Sequence, residues 1–545
     1  MEKRTVLAFV LIFIIYWFSS QYLWRPQQVE PAQQTEQQTL AQQAVSQETD
    51  ERPITQGFPT SESFIFSSNE NIGEESIAIN NEIILENEKI KVSFTNQGAL
   101  INQITLKDFF LSDKVTQIDL IPEEQAILQV SFDGLFIDLN RTIFNYDLDN
   151  QTLLFEINNE ESNTYFRKIF TLSEGYMLDF RMEGDYFPLF ESYSISVNSG
   201  INITEDHRAS VRDIGNSFKF VGQVDRETKN VTQARLSSRG EQRFIGMVNW
   251  AAVRSKYFTM SLIPETRIVT QSVRAQRISE TLGFDLFIRY NNQISSFTDH
   301  YSLYFGPVDY DLLSTFGNGM ENIAELGARW LRPLATIFMF YLSFLHRYIT
   351  NYGLVIIVFA LTLKILLTPL TNKALSSTKK MQKLQPMLRE IQAKYKNDIQ
   401  KQQEELRNLY KEHNVSPLGG CFPLLLQMPI FFALYPLLRY SIDFRQAHFF
   451  GWLTDLSEPD PFWILPITMG IFMFVQQKMT QSKQDMTNMD EKQAAMVQSQ
   501  KMMMYIMPPF LVFIFSSLPA GLVLYWTVFN VFSIIQQYFL NKKEN

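Results

Sequence analysis

One basic side chain lies inside an apolar stretch that is long enough to cross a membrane. The stretch from Tyr352 to Lys373 reads YGLVIIVFALTLKILLTPLTNK, and Lys364 is the only charged residue in its interior. About 20 helical residues span a hydrocarbon core of about 30 Å. A charge at the bilayer centre costs roughly 2.5–3.5 kcal/mol on insertion scales, so a lone cation there predicts a functional site.

Two interpretations of Lys364 remain open from the sequence. Lys364 lies nine residues before Lys373, about 13 Å along a helix, and its stem could carry the ammonium toward that end. Alternatively the side chain enters a polar, water-accessible cavity that faces other helices. The hydroxyls of Thr362 and Thr368 favour the cavity, since Thr368 shares a helical face with Lys364.

The usual signatures of enzymes and metal sites are missing from the sequence. The single cysteine, Cys421, permits neither an intrachain disulfide nor a cysteine zinc cluster, and the five histidines lack metal-ligand spacing. No nucleophile elbow, zinc-protease or phosphate-loop motif occurs. The net charge of −9 argues against general nucleic-acid binding. We therefore expect no catalytic residue, no metal, no cofactor and no small-molecule substrate.

The first 74 residues predict a membrane anchor and a tether. Residues 1–25 combine Lys3 and Arg4 with an apolar run that lacks a cleavage site, which is typical of a signal-anchor helix with a cytoplasmic N-terminus. Residues 26–74 are rich in Gln, Glu, Ser, Thr and Pro. Such a composition buries too little apolar surface to fold, and it predicts a disordered polar linker.

Residues 75–318 predict a β-sandwich domain. Short runs of alternating apolar and polar residues are separated by turn-forming residues, as in IILENEKIKVSFTNQGALINQITLKDF. Late strands are expected at Tyr257–Ile263, Leu282–Tyr290 and Tyr301–Phe305. An anchor with a cytoplasmic N-terminus places the domain that follows it on the other side of the membrane.

Residues 319–348 predict an amphipathic helix that lies in the membrane interface. Its apolar run PLATIFMFYLSFL has thirteen residues, which reach only about 20 Å and cannot span. If this helix does not cross, residues 349–372 form transmembrane helix 2 and run inward. The basic loop that follows is then cytoplasmic, in agreement with the positive-inside rule.

Residues 373–417 predict a helical hairpin in the cytoplasm. Apolar residues recur at helical spacing on both sides of a turn at Asn397 and Asp398. The first arm is strongly basic, which indicates either a solvated charged face or a contact surface for lipid headgroups, a ribosome or a targeting receptor. The candidate contact residues are Lys379, Lys380, Lys383 and Arg389.

Residues 418–545 predict transmembrane helices 3–6 with short loops. The first of these spans has three interior prolines and Gln427, which indicates a wet or mobile bundle interior. The sequence LPAG at Leu518–Gly521 divides a long apolar run into two spans. The chain ends in Lys542 and Lys543, so a six-span topology keeps both termini cytoplasmic.

Three stretches resemble a known family. They are PLGGCFPLLLQMPIFFALY at Pro417–Tyr435, LPAGLVLYWTVFNVFSIIQQ at Leu518–Gln537 and LLTPLT at Leu366–Thr371, and they resemble the YidC/Oxa1/Alb3 membrane protein insertases. The anchor, the tether and the large β domain resemble the Gram-negative bacterial YidC form. The resemblance implies a polytopic α-helical protein of the bacterial inner membrane with six spans. Five core helices would enclose a hydrophilic groove that opens to the cytoplasm and the lipid.

The resemblance also implies a role for individual residues. Lys364 occupies the position where the family usually has an arginine that attracts polar or acidic ends of substrates, and Thr362, Tyr525 and Trp526 match groove or substrate-contact positions. The implied function is insertion and folding of integral membrane proteins, alone or with the Sec translocon. The implied partners are nascent membrane proteins, the Sec translocon, membrane lipids and a ribosome or signal recognition particle receptor.

Two other functions were weighed against insertion. A Sec-associated scaffold could assemble helices without inserting anything itself, and the sequence separates it poorly from an insertase. A secondary transporter would show internal repeats and several intramembrane polar sites, and the sequence shows neither.

Overall fold

The computed structural model describes most of the chain after residue 81. The described residues are 82–134, 138–159, 163–205, 217–265, 270–278, 281–395, 398–413, 415, 422–480, 502 and 505–544. The predicted anchor at residues 1–25 and the predicted linker at residues 26–74 lie outside them. The chain divides into two compact units, whose boundaries follow Leu366, Leu426, Gln481 and Met503. Each unit is described by itself.

β-Strands are the main regular structure of the described residues between 83 and 307. Alternating apolar residues drive this, because one face of each strand can then join a core while the other faces solvent. The strands are β1 (Ile83–Glu86), β2 (Ile90–Thr95), β3 (Leu100–Phe110), β4 (Gln117–Asp119), β5 (Gln129–Phe132), β6 (Asn145–Asp149), β7 (Thr152–Asn159), β8 (Thr164–Leu172), β9 (Met177–Asp185), β10 (Phe190–Val197), β11 (Lys219–Val224), β12 (Glu227–Thr232), β13 (Glu241–Ile245), β14 (Val248–Arg254), β15 (Phe258–Pro264), β16 (Thr270–Ile278), β17 (Thr281–Ile294) and β18 (Phe297–Pro307).

These strands form three antiparallel sheets. Their orders are β1-β2-β3-β4, β13-β16-β17-β10-β5 and β12-β11-β14-β15-β18-β9-β8-β7-β6. One continuous apolar cluster collects side chains from all three sheets, with many phenylalanines in it. The three late strands expected from the sequence correspond to β15, β17 and β18, and the last two extend further than the pattern indicated.

Helices dominate the chain after residue 307, because long apolar or heptad-like runs replace the alternating pattern. The described α-helices are α1 (Gln233–Arg239), α2 (Tyr310–Thr315), α3 (Arg332–His346), α4 (Tyr352–Lys394), α5 (Ile399–Glu412), α6 (Phe422–Tyr440), α7 (Ile464–Thr480), α8 (Tyr505–Phe515) and α9 (Ala520–Glu544). Short 3₁₀ turns occur at Met320–Ile323, Arg329–Leu331 and Ile442–Phe444.

Helix α4 is longer than the sequence pattern suggested. It continues without a break through residue 372, where we expected the membrane span to give way to a separate hairpin arm. Pro369 and Pro386 both lie inside it. The residues after Asn372 contain no glycine, and most of them are good helix formers such as Lys, Leu, Met and Gln, so the helix continues through Pro386 to Lys394. Asp398 then caps α5 by accepting a hydrogen bond from the Lys401 backbone N–H at 3.0 Å.

Two described helical stretches are long and apolar enough to cross a bilayer by length and composition. They are Tyr352–Met381 and Ala520–Leu540, and Tyr505–Phe515 is a shorter apolar helix. Among the described residues, six such spans are therefore not established by this criterion.

Candidate functional site

Helices α4 and α9 pack side by side and run in the same direction. Near their beginnings the rings of Phe359 and Tyr525 are 6.2 Å apart between centroids. Further along both helices, Lys364 reaches Ser533. The later residue of α4 contacts the later residue of α9, so the two helices are parallel. Lys364 lies at the interface of α4 and α9, which we call the seam.

The ammonium of Lys364 turns toward α9. Its Nζ donates a hydrogen bond to the Ser533 Oγ at 2.6 Å and lies 4.5 Å from the centre of the Phe529 ring. Only 5% of the Lys364 residue surface is exposed. Hydroxyl and aromatic face both interact favourably with a cation. The side chain is therefore directed toward α9, and its ammonium is buried there.

A buried polar face on α9 receives this lysine. Thr527, Asn530, Ser533 and Gln537 are all buried, although the surrounding helix is apolar. They recur every three or four residues, which places them on one side of a helix. The sequence analysis did not single out these four residues. The signal that would have found them is this helical spacing of polar residues in an apolar run.

Two amide groups in this region lack partners in the described part of the chain. The Asn530 Nδ2 and the Gln427 Nε2 are both buried without a hydrogen-bond acceptor there. Gln427 lies on α6 one turn before Phe431, whose ring is 5.6 Å from that of Trp526. Unpaired buried donors cost about 1–3 kcal/mol each, so these amides are suited to bind an acceptor from outside.

The two aromatic residues carried by the resemblance have different surroundings. Tyr525 is fully buried, and its hydroxyl has no hydrogen-bond partner within the described residues. Trp526 packs edge-on against Phe431 and, with a centroid distance of 5.2 Å, against Phe515. Tyr525 therefore offers a free hydroxyl beside the seam, whereas Trp526 joins α9 to its neighbours.

The threonines expected beside Lys364 do not surround it. Thr362 is exposed, and its hydroxyl lies 2.9 Å from that of Tyr341 on α3 and donates to the Val358 carbonyl oxygen. Two residues correspond to about 200° around a helix, so Thr362 and Lys364 point to nearly opposite sides. Thr368 is half-buried and belongs to the other compact unit.

The basic residues expected on the hairpin lie on the last part of α4. Lys380 and Lys383 are exposed and Lys379 is partly exposed, while the side chain of Arg389 is outside the described residues. Helix α5 buries Leu406 and Leu409. The amide of Gln402 donates to the Gln392 carbonyl oxygen at 3.2 Å and joins α5 to α4. The described part of the hairpin thus displays its lysines.

No group of three or more His, Cys, Asp or Glu side chains is placed to hold a metal ion in the described ranges. What the seam between α4 and α9 can do is bind. It offers one cation and several neutral hydrogen-bond donors in an apolar bundle.

Comparison with known proteins gives the class of this chain. Residues 82–341 match the family model described as YidC periplasmic domain, and residues 344–545 match the one described as 60Kd inner membrane protein. The chain is thus an inner-membrane protein with a periplasmic β-rich domain and a helical C-terminal part.

Whole-chain relatives narrow this class to one family. A protein of Syntrophus aciditrophicus named membrane protein insertase YidC is 32% identical over 486 residues, which cover 85% of each chain. A protein of the same name from Geobacter metallireducens is 30% identical over 563 residues, covering 99% of this chain and 98% of the relative. A solved structure, an active YidC insertase with its first transmembrane domain, is 18% identical with a TM-score of 0.35, covering 84% of this chain and 93% of that one. The chain belongs to the YidC family of membrane protein insertases.

Proposed function

We propose that this chain inserts integral membrane proteins by binding the polar end of a client at Lys364, in a groove that opens to the cytoplasm and the lipid. The proteins to which it is related carry the name of insertases. The observation that carries the proposal is the direction of the Lys364 ammonium, which points into the bundle at the Ser533 hydroxyl. A cation held there is placed to meet a client inside the membrane and not at its surface.

The exchange of partners at Lys364 is the central step. The Ser533 hydroxyl is neutral, and it also donates to the Phe529 carbonyl oxygen at 2.8 Å. A client carboxylate that replaces it adds a second, opposite charge to the hydrogen bond from the ammonium, which makes that bond stronger than the bond to a neutral hydroxyl. The unpaired amides of Asn530 and Gln427 and the hydroxyl of Tyr525 then bind further acceptors on the client. Trp526 borders this groove in the proposal, whereas Thr362 faces Tyr341 on the other side of α4.

Release into the lipid needs no covalent chemistry. A groove that reaches partway through the bilayer shortens the apolar path for the client's polar tail. The client's apolar segment then leaves sideways, and burial of its surface in lipid supplies about 25 cal/mol per Å².

The proposed topology has six spans with both termini in the cytoplasm. The parallel direction of α4 and α9 supports it, because spans two and six of such a protein both run inward. Helix α3 then lies in the interface plane and the hairpin projects into the cytoplasm. We propose that its basic residues contact a ribosome, a targeting receptor or anionic lipid, and that the Sec translocon is a partner for some clients.

Reconstituted insertion without the Sec translocon tests the proposal. Lys364→Met retains the length and apolar stem of the side chain and removes the charge. We expect insertion of a short client with an acidic translocated tail, measured by protease protection, to fall about tenfold, the equivalent of one charge-assisted hydrogen bond. Lys373→Met is the matched control, because Lys373 is an exposed lysine on the same helix.

Wild-type insertion by the Lys364→Met variant would contradict the proposal. It would favour the alternative of a Sec-associated scaffold that does not insert clients itself. An equal loss in the Lys373→Met variant would show that net charge matters and the position of the charge does not.

A further inference from the structure

One short segment of the loop between α6 and α7 contacts both the periplasmic β domain and α9. We name residues 455–458 of that loop the bridging segment. The Lys256 Nζ lies 2.6 Å from the Glu458 Oε1, and the Tyr257 hydroxyl donates to the Ser457 Oγ at 2.7 Å. Tyr257 and Ser457 are 0% and 2% exposed. The Ser457 hydroxyl in turn donates to the Asp455 Oδ1 at 2.6 Å, so it is held on both sides.

The same bridging segment receives the first residues of α9. The backbone N–H of Ala520 donates to the Glu458 carbonyl oxygen, and that of Gly521 donates to the Leu456 carbonyl oxygen, both at 2.8 Å. The first N–H groups of a helix have no acceptor inside the helix, so these bonds are its N-terminal cap. A Cβ on Gly521 would lie 3.1 Å from the Leu456 carbonyl oxygen, and glycine therefore permits this close approach.

A separate contact fastens the beginning of the loop to the β domain. The guanidinium of Arg445 binds the Glu205 carboxylate at 2.8 Å and the Phe110 carbonyl oxygen at 2.8 Å. Arg445 is buried. The loop is therefore held by the β domain at two places, and at one of them, the bridging segment, it also binds the beginning of α9.

We propose that the β domain braces α9 through the bridging segment, with Lys256 and Tyr257 as positioning residues for the insertion site. Ser533 lies thirteen residues after Ala520, about 20 Å along a rigid helix. A shift of the outer end of α9 therefore moves Ser533 relative to Lys364. This inference rests on the proposed function, and it gives the β domain a mechanical role in it.

Hydrogen exchange in lipid nanodiscs, combined with reconstituted insertion, tests the bracing. The double variant Lys256→Met with Tyr257→Phe removes both side-chain bonds to the bridging segment and retains packing volume. We expect exchange of the Ala520 and Gly521 amides to accelerate about tenfold, the effect of weakening one hydrogen-bonded contact. Insertion of the Sec-independent client should fall about threefold, because a displaced α9 holds the site less well. Exchange in strand β8 should remain at the wild-type rate.

Tyr290→Phe is the matched control. It also removes a tyrosine hydrogen bond in the β domain, to Asp299, but it does not touch the bridging segment. We expect both readouts to remain at the wild-type level. Ser457→Ala removes the other partner of the Tyr257–Ser457 hydrogen bond. Adding it to Tyr257→Phe should therefore change exchange of the Ala520 and Gly521 amides little further.

Three results would overturn the inference. The first is wild-type exchange at Ala520 and Gly521 in the double variant. The second is faster exchange there with unchanged insertion. The third is a combination of two results. Exchange is faster throughout β8 in the double variant, which means that the variant unfolds the domain, and Ser457→Ala alone leaves the Ala520 and Gly521 amides protected. Failure of the wild-type chain to insert the client would instead refute the proposed function, while the exchange data would still report the bracing.

Discussion

The β domain and the helical part each bury a lysine, and they hold it by different means. Lys168 on β8 is fully buried, and its Nζ donates to the carbonyl oxygens of Gly98, Ala99 and Leu128 at 2.8, 3.3 and 3.1 Å. Lys364 on α4 is nearly as buried, and its Nζ donates to a side-chain hydroxyl beside an aromatic ring. Backbone carbonyls are fixed by the fold, whereas a hydroxyl can rotate away.

The residues whose carbonyl oxygens accept hydrogen bonds from Lys168 have an uncommon backbone conformation. Gly98, Ala99 and Leu128, which supply the three carbonyls, all have positive φ angles, of 75°, 49° and 68°. Positive φ is uncommon for residues other than glycine and is retained only where the surroundings fix it. Burial lowers the pKa of Lys168 to about 7. The comparison indicates that Lys168 is a structural link between strands, while Ser533 holds Lys364 by a hydroxyl that can rotate, in keeping with the binding role proposed for that lysine.

The largest effect is expected at the structural lysine. Lys168→Met leaves three buried carbonyl oxygens without their donor, and we expect the β domain to lose about 3–5 kcal/mol of unfolding free energy. The measurement is urea-dependent proteolysis of the full-length chain in nanodiscs. Lys89→Met is the control, because Lys89 pairs with Asp108 on the surface, and its loss of stability should be much smaller than that of Lys168→Met. Equal losses would contradict the distinction between the two kinds of lysine.

The stability of the β domain should also depend on pH through Lys168. Its folded pKa of about 7 lies below the unfolded value of 10.5. Between these values the unfolded chain binds more protons than the folded one, so stability rises with pH and the penalty is complete below about pH 7. We expect a gain of about 1–2 kcal/mol from pH 7 to 8.5 relative to Lys168→Met, in which that dependence is absent. A parallel pH profile in both proteins would show that Lys168 does not titrate in this range.

Much of the β domain could be predicted from the sequence, but its sheet order could not. Alternation located the strands, and in β8 it even places Lys168 on the buried face with Phe166 and Phe170. The neighbours of a strand depend on distant segments, as in the pairing of β9 with β18, and local pattern carries no such information. Positive φ at Ala99 and Leu128 has no sequence signal either, so the carbonyl site was not foreseen.

The sequence indicates one residue of the candidate site, Lys364, but not the residues of α9 beside it, because those depend on how distant segments pack. Lys364 was conspicuous because a charge in an apolar run is rare. Ser533 and Asn530 were overlooked, since hydroxyl and amide residues are unremarkable in one helix viewed alone. Their meaning appears only when α4 packs against α9. Thr362 shows the converse, because it is close to Lys364 in sequence but contacts Tyr341 on the other side of α4.

A smaller effect is expected when Lys364 is given a permanent partner. Ser533→Asp replaces the exchangeable hydroxyl by a carboxylate that competes with the client. We expect insertion of an acidic-tailed client to fall about fivefold, since a bond between two opposite charges must now be broken first. Ser533→Asn is the control, because it offers a neutral acceptor of similar size. If Ser533→Asp inserts as well as the wild type, the partner of Lys364 is not exchanged during insertion.

The smallest effect is expected when the charge is retained in another shape. Lys364→Arg still places a cation beside a hydroxyl and the Phe529 ring, and a guanidinium stacks well on aromatic faces. Because the positive charge beside the hydroxyl is retained, we expect insertion to remain within about twofold of the wild type. Lys168→Arg places a planar guanidinium among three carbonyl oxygens that the fold holds in place. We expect this variant to lower the unfolding free energy of the β domain by about 2 kcal/mol or more. Insertion assays on the first variant and urea-dependent proteolysis on the second measure this contrast. If Lys168→Arg leaves the stability of the β domain unchanged and Lys364→Arg abolishes insertion, the conclusion is reversed. Lys364 would then be the lysine whose surroundings require one fixed geometry.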